Sequence, residues 1–212
     1  YLTQNVTIHA LASLAETRDS ETGNHIRRTQ HYVQTLAVDL KAHGYHLDEL
    51  TDENIDLLFR SAPLHDIGKV GIPDRILLKP GKLDHDEFEI MKTHAALGAQ
   101  ALATANEELG DNDTSFLRFA REISQSHHEK WNGTGYPMGL AGEDIPLSGR
   151  IMALADVYDA LISERVYKPA FPHEKAKAII LEGKGEHFDP KVVDAFLRTE
   201  SIFTAIADQY RD

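Results

Sequence analysis

Apolar residues recur at three- and four-residue spacing in segment after segment of this chain. No stretch alternates apolar and polar with the period of two that a half-buried strand needs. The pattern predicts an all-α fold. Val6, Ala10, Leu11 and Leu14 mark a helix over about 3–17, and Ile26, Val33, Leu36, Ala37 and Leu40 mark a second over about 21–43, stopped by Gly44. Thr51 stands where an N-cap belongs, with Asp52 and Glu53 in the first turn and Ile55, Leu57, Leu58 and Phe59 behind them. Gly68, Gly71, Pro73 and Pro80 break 65–80 into irregular structure around a short helix. Asp84 caps a helix carrying Phe88, Met91 and Leu97 that continues to about Leu109. Further helices are expected over about 116–128, 150–161 and 173–181. A last one opens at Asp189-Pro190 with Val192, Val193, Phe196 and Leu197 on one face. The Gly- and Pro-dense stretch 132–146 is expected to be a shaped loop.

The chain has 212 residues, of which 42% are hydrophobic, ample for a proper core. It shows no internal linker, repeat or low-complexity segment, so residues 21–212 are expected to form one domain. Residues 1–20 read as a helical lead-in from an upstream domain, and a chain that starts at Tyr1 reads as a piece of something longer. There is no cysteine, which excludes disulfides and thiolate zinc sites. The formal net charge of −12 argues against binding a nucleic-acid polymer. It leaves room for a small phosphate ligand, because bound metal ions reverse the local field. No apolar run has membrane-spanning length, and no signal peptide is present. Histidine is in excess at 12 residues, and with no cysteine beside it a metal site would be built from nitrogen and oxygen.

Individually, the chemistry-bearing residues have ordinary explanations. A His-Asp dipeptide such as His65-Asp66 is most often surface chance, although a carboxylate there can bridge two cations, with Lys69 three residues on sharing its face. His127-His128 at a helix end can offset the helix dipole or bind metal. Glu21 and His25, four apart, make either a helix-stabilising pair or two ligands. A lone helical histidine such as His94 is usually no ligand. Asp156 stands among Ile151, Met152, Ala153, Leu154 and Val157, so it needs a partner: a metal, or a buried Arg or Lys. Five such groups at unrelated positions would each need a separate excuse, and a shared metal site removes all five.

The ordered motifs give the chain a family likeness. Glu21-Thr22-Gly23-Asn24-His25, His65 through Lys69, Lys79-Pro80-Gly81-Lys82-Leu83, His127 through Pro137, Arg150 through Leu161 and His187-Phe188-Asp189-Pro190 follow in sequence. With them the chain resembles the HD-GYP domains of the HD phosphohydrolase superfamily. Departures are small: Ala95 where the family often has Pro, Val166 where many members have Pro, and Pro169 after Lys168. The resemblance implies an all-α bundle around a bi- or trinuclear metal centre and hydrolysis of cyclic di-GMP in the bacterial cytoplasm. By motif, the implied ligands are His25, His65, Asp66, His94, His127, His128 and Asp156, with Glu21 serving a third ion and Asp66 bridging. Asp66 and Lys69 are the implied catalytic pair. Lys69, Tyr136, Arg165 and Lys168 match substrate contacts. The resemblance also implies an upstream receiver or sensor domain and a diguanylate cyclase contact at Gly135-Tyr136-Pro137, while the apolar stripe of the lead-in helix permits a homodimer.

Two or three divalent ions suit this donor set, with Fe or Mn expected and Ni, Co or Zn as alternatives. Ions about 3.5–4 Å apart can share one hydroxide and clamp the attacking and leaving oxygens of a phosphoryl transfer. The expected reaction is in-line attack by that hydroxide on phosphorus, giving linear pGpG and, after a second cut, GMP. Lys69 would neutralise charge on the phosphoryl oxygens, and Arg165 would hold the second phosphate. The competing readings are a phosphodiesterase for another cyclic dinucleotide such as cyclic GMP-AMP, a non-catalytic sensor module, and a di-iron oxygenase.

Overall fold

Each apolar stripe becomes a helix in the computed structural model, which describes residues 2–16, 23–108, 116–164 and 169–211, with the side chains of residues 2–5 and 23 left out. In chain order the helices are α1 (Leu2–Glu16), α2 (Gly23–Ala42), α3 (Asp52–Ser61), α4 (Asp74–Leu77), α5 (His85–Glu108), α6 (Phe116–Ser126), α7 (Leu147–Ile162), α8 (His173–Glu182), α9 (Pro190–Arg198) and α10 (Glu200–Gln209). Two short 3-10 turns, Ala62–Leu64 and Ile67–Gly71, flank the His65-Asp66 pair. Among the described residues there is no strand, and only two isolated bridges, Asn132–Ala141 and Lys184–Phe188, join loops. The fold is all-α, as the periodicity predicts. No helix among the described residues is long and apolar enough to cross a membrane.

Local chemistry sets the helix ends. Asn54 N–H donates to Thr51 Oγ1 at 3.1 Å, capping α3. Asp84 and Glu87 form a capping box at the start of α5: each carboxylate accepts from the other residue's backbone N–H at 2.9 Å. Gly44 takes φ +78° just past α2, a left-handed turn that glycine enters at no steric cost.

The main core gathers Tyr32, Leu36, Leu40, Leu58, Ile123, Ile151, Leu154, Tyr158, Phe196 and Phe203 from six helices. α7 is buried on nearly every face, as its run Ile151-Met152-Ala153-Leu154-Ala155 requires, so the aspartates it carries stand inside the bundle. A smaller cluster of Ile8, Leu64, Leu102, Leu117 and Ala120 ties α1 to the first 3-10 turn, α5 and α6.

Two features depart from the sequence reading. α1 buries Ile8, Ala12 and Ala15, while Val6, Leu11 and Leu14 face outward. The helix is apolar on both sides, so spacing alone cannot choose the packed face. After α9 the chain bends at Thr199 into α10, which contributes Phe203 and Ile206 to the core. No Gly or Pro marks that bend. The Thr199 hydroxyl donates back to the Ala195 carbonyl at 2.7 Å, and its own N–H closes the last turn of α9.

The loop after α6 is pinned from within. Glu129 is 1% exposed, and its two oxygens accept from the backbone N–H groups of Met138 and Leu140 at 2.7 and 3.0 Å. Trp131 N–H donates to the His187 carbonyl and Asn132 N–H to that of Glu186, which zips this loop to the turn before α9. The buried Arg150 donates to the Ile145 carbonyl and pairs with Asp189 at 2.7 Å. The Tyr136–Pro137 peptide is cis.

Candidate metal centre

Five segments converge on one point: the first turns of α2 bring His25, the break between the two 3-10 turns brings His65 and Asp66, mid-α5 brings His94, the end of α6 brings His127 and His128, and α7 brings Asp156. A glycine makes the closest of these approaches. A Cβ on Gly68 would lie 1.9 Å from the His94 carbonyl oxygen and 2.6 Å from Gly98 N, so only glycine lets the chain after Asp66 rest on the backbone of α5. That contact sets Asp66 against His94.

The ligand atoms fall into two groups. His25, His65 and Asp156 form one, and Asp66, His94, His127 and His128 form the other, each with its ligand atoms within 4.8 Å of one another. Asp66 faces both. Its Oδ1 lies 3.3 Å from His94 Nε2 and 3.4 Å from His127 Nε2, while its Oδ2 lies 3.4 Å from His65 Nε2 and 2.7 Å from Lys69 Nζ. Asp156 Oδ1 is 3.7 Å from Nε2 of both His25 and His65.

The outward nitrogens fix the tautomers. Nδ1 of His65, His94 and His127 lies 2.9, 2.7 and 2.9 Å from the carbonyls of Ala62, Met91 and Ile123. Only an N–H satisfies a carbonyl, so each Nε2 presents a lone pair to the cluster. His25 differs: its Nδ1–H donates to Asp159 Oδ2 at 2.8 Å. The lone pairs of His25 and His65 then confront each other, Nε2 to Nε2 at 3.4 Å, and His128 Nε2 lies 3.1 Å from that of His94. Among the described residues, the buried Asp66 Oδ1 and His127 Nε2 have no hydrogen-bond partner. Acceptors aimed at one another suit cations between them, and a nitrogen and oxygen set without sulfur fits divalent transition metals.

The electrostatics agree. Burial pushes the Asp66 carboxyl up, but the Lys69 ammonium and the neighbouring histidines outweigh it and hold the group well below the usual carboxylate range. Burial lowers His65 and, with His127 beside it, takes His128 well below the ordinary histidine value, so both stay neutral ligands. For His127 burial acts downward, and the Asp66 carboxylate beside it, with Asp156 behind, reverses the sign.

Tyr136 stacks on His128 with ring centroids 4.7 Å apart. Burial, then the charges of Asp66 and Asp156, push its hydroxyl upward, so it stays a proton donor. Glu21, Arg165 and Lys168 lie outside the described residues.

Sequence reasoning singled out every described member of the cluster but assigned no task to three supporting residues. Asp159 receives Arg28 Nε at 2.6 Å and Nη2 at 3.1 Å besides His25, and Arg28 Nη1 donates to the Tyr210 carbonyl at 2.7 Å. The buried arginine that Asp156 was expected to need as an alternative to metal therefore serves Asp159. Glu129, within the His-His-Glu motif, shapes the loop that carries Tyr136. The available signals were spacings: Arg28 three residues after His25, and Asp159 three after Asp156, on the same helix faces.

Known proteins resemble the chain in sequence and in fold. The profile of the HD domain family matches residues 9–192. The chain is 62% identical over 210 residues to a Vibrio cholerae protein named cyclic di-GMP phosphodiesterase, covering 99% of this chain and 42% of that one. It is 42% identical over 199 residues to a Vibrio cholerae protein named 3'3'-cGAMP-specific phosphodiesterase 2, covering 94% of this chain and 35% of that one. The chain thus spans less than half the length of these relatives. A crystal structure of a cyclic GMP-AMP specific phosphodiesterase from Vibrio cholerae superposes with a TM-score of 0.64 at 21% identity, covering 97% of this chain and 51% of the other; at that identity it speaks for the fold.

Proposed function

The chain belongs to the HD domain family, and from that premise we propose that it is a metal-dependent phosphodiesterase that opens cyclic di-GMP to linear pGpG, with a second cut to GMP open to the same centre. The observation that carries the reading is Asp66, with one oxygen turned to each histidine group. In this reading His25, His65 and Asp156 would hold one ion and His94, His127 and His128 another, with Asp66 within reach of both groups. Glu21 serves a third ion by the family resemblance. Fe or Mn is the expected metal, and Co, Ni and Zn suit the same donors. Bound ions would supply a water made acidic enough to attack near neutral pH and charge to offset the phosphate.

The chain's own groups do the rest. Lys69, held 2.7 Å from Asp66 Oδ2, has an ammonium within reach of a phosphoryl oxygen and neutralises the charge that grows there. Tyr136, kept protonated, donates a hydrogen bond to the substrate. Arg165 and Lys168 hold the second phosphate. In the full-length protein we assign a receiver or sensor domain to the part beyond this chain, and we place the reaction in the cytoplasm.

A second reading keeps the mechanism and changes the base: a relative 42% identical to this chain is named for cyclic GMP-AMP. The test of the shared chemistry is substitution at the bridging pair. His65→Ala and Asp66→Ala should each lose bound metal and reduce turnover by about a thousandfold or more, in the range seen when a group that acts as part of a catalytic unit is removed. Near-normal rates in a metal-replete variant would sink the mechanism.

A further inference from the structure

The face of α5 beside the metal centre carries residues that phosphodiester chemistry leaves without a task. Phe88 is 44% exposed. Its ring meets Tyr136 edge to face at 6.1 Å, and Tyr136 is stacked on His128 at 4.7 Å. The three rings form a row that begins at a metal-facing imidazole and ends in solvent. Lys92, one turn after Phe88, holds its ammonium 5.6 Å from the centroids of both the Phe88 and Tyr136 rings. Glu89 Oε1 lies 2.6 Å from that ammonium. All three residues stand on the helix that supplies His94, so their distance from the centre is fixed by rigid backbone.

A single exposed phenylalanine is ordinary on a protein surface. Its company sets this one apart: a continuous aromatic path to the metal centre, with a cation and a carboxylate at its rim. A base hangs one ribose away from its phosphate. A phosphate held at the histidine groups therefore sends the flanking base along this row toward Phe88. An aromatic face accepts any base by stacking, so the discrimination falls to the rim. Lys92 offers donors and no acceptor, whereas ionised Glu89 only accepts. Guanine presents O6 as an acceptor beside its N1–H donor, which matches that pair. Held in the same orientation, adenine puts its N6 amino donor where guanine has O6 and an N1 acceptor where guanine has N–H, and opposes the pair.

We propose that Phe88, Lys92 and Glu89 form a base-reading platform that selects guanine in the nucleotide flanking the scissile phosphate. The proposal rests on the phosphodiesterase reading above and deepens it by naming the base.

The test uses the metal-loaded chain and its Phe88→Ala and Lys92→Met variants. Kinetics are measured with cyclic di-GMP, cyclic di-AMP and bis(p-nitrophenyl) phosphate, a diester with no base, and equilibrium dialysis measures GMP and AMP. For Phe88→Ala, kcat/KM for cyclic di-GMP should fall relative to the base-free diester by about 10- to 100-fold, mostly through KM, and GMP binding should weaken by a similar factor. Lys92→Met should narrow the preference for GMP over AMP. Parallel losses on cyclic di-GMP and the base-free diester would mean that these residues only support the fold, and the platform falls. If the wild-type chain hydrolyses cyclic di-GMP and both variants match it, the platform alone falls. Should the wild type cleave the base-free diester but neither bind GMP nor cleave any cyclic dinucleotide, the substrate reading falls and takes the platform with it.

Discussion

Asp159 divides its two oxygens between an imidazole and a guanidinium, and so ties the orientation of a metal-facing histidine to a buried ion pair. Carboxylates behind metal-binding histidines are commonly worth about 10- to 100-fold in metal affinity. Asp159→Asn can still accept from His25 only by turning its amide N–H groups on Arg28. The variant should therefore hold its metal about 10- to 100-fold less tightly, measured by competition with a chelator. It should also melt earlier, since breaking a buried ion pair costs about 3–5 kcal/mol, so the titration belongs below its melting range. Unchanged metal retention would contradict the orienting role. His187 permits a separate test. Burial, then the Lys130 charge, lowers it from 6.5 to about 4, with Asp156 opposing. A histidine with a depressed pKa contributes stability that is fully present above 6.5 and is lost as pH falls toward about 4. Its partly exposed ring limits the effect to about 1–2 kcal/mol. Denaturation of the wild type and His187→Gln should show the wild type's advantage shrinking across that window, and a constant gap would refute it. At this scale the described residues of the two histidine groups were legible because each sits in a motif. The work of Asp159 was not, because Arg28 is 131 residues away in sequence.

Gly68 shows how elements meet. Its missing side chain lets the 3-10 turn after Asp66 lie against the His94 carbonyl. Gly68→Ala should cost about 2–4 kcal/mol, because the atoms in the way are backbone and cannot rotate aside. The same change should loosen metal at the His94 group, because Asp66 and α5 move apart. Thermal melting and metal content read the two effects, and a variant with wild-type values for both would refute the packing argument. Most helices were legible from periodicity, capping residues and breakers. The packed face of α1 was not, because both its faces are apolar. Neither was the bend at Thr199, which is made by hydrogen bonds within the turn rather than by a breaker residue.

On the scale of the whole molecule, the candidate metal centre gathers five segments spread from residue 25 to residue 156 at one point. Spacing along the chain cannot show such a meeting: each residue alone had an ordinary explanation available, and the order of motifs in a known family brought them together. Cations held among these carboxylates and histidines, with Lys69 at the edge, would suit a chain with net charge −12 to the anionic substrate proposed. The decisive measurement is metal analysis of anaerobically purified chain followed by chromatography of cyclic di-GMP with Mn or Fe supplied. Two or more metal ions per chain and metal-dependent release of linear pGpG are the predicted result. A full complement of metal with no breakdown of any cyclic dinucleotide would contradict it.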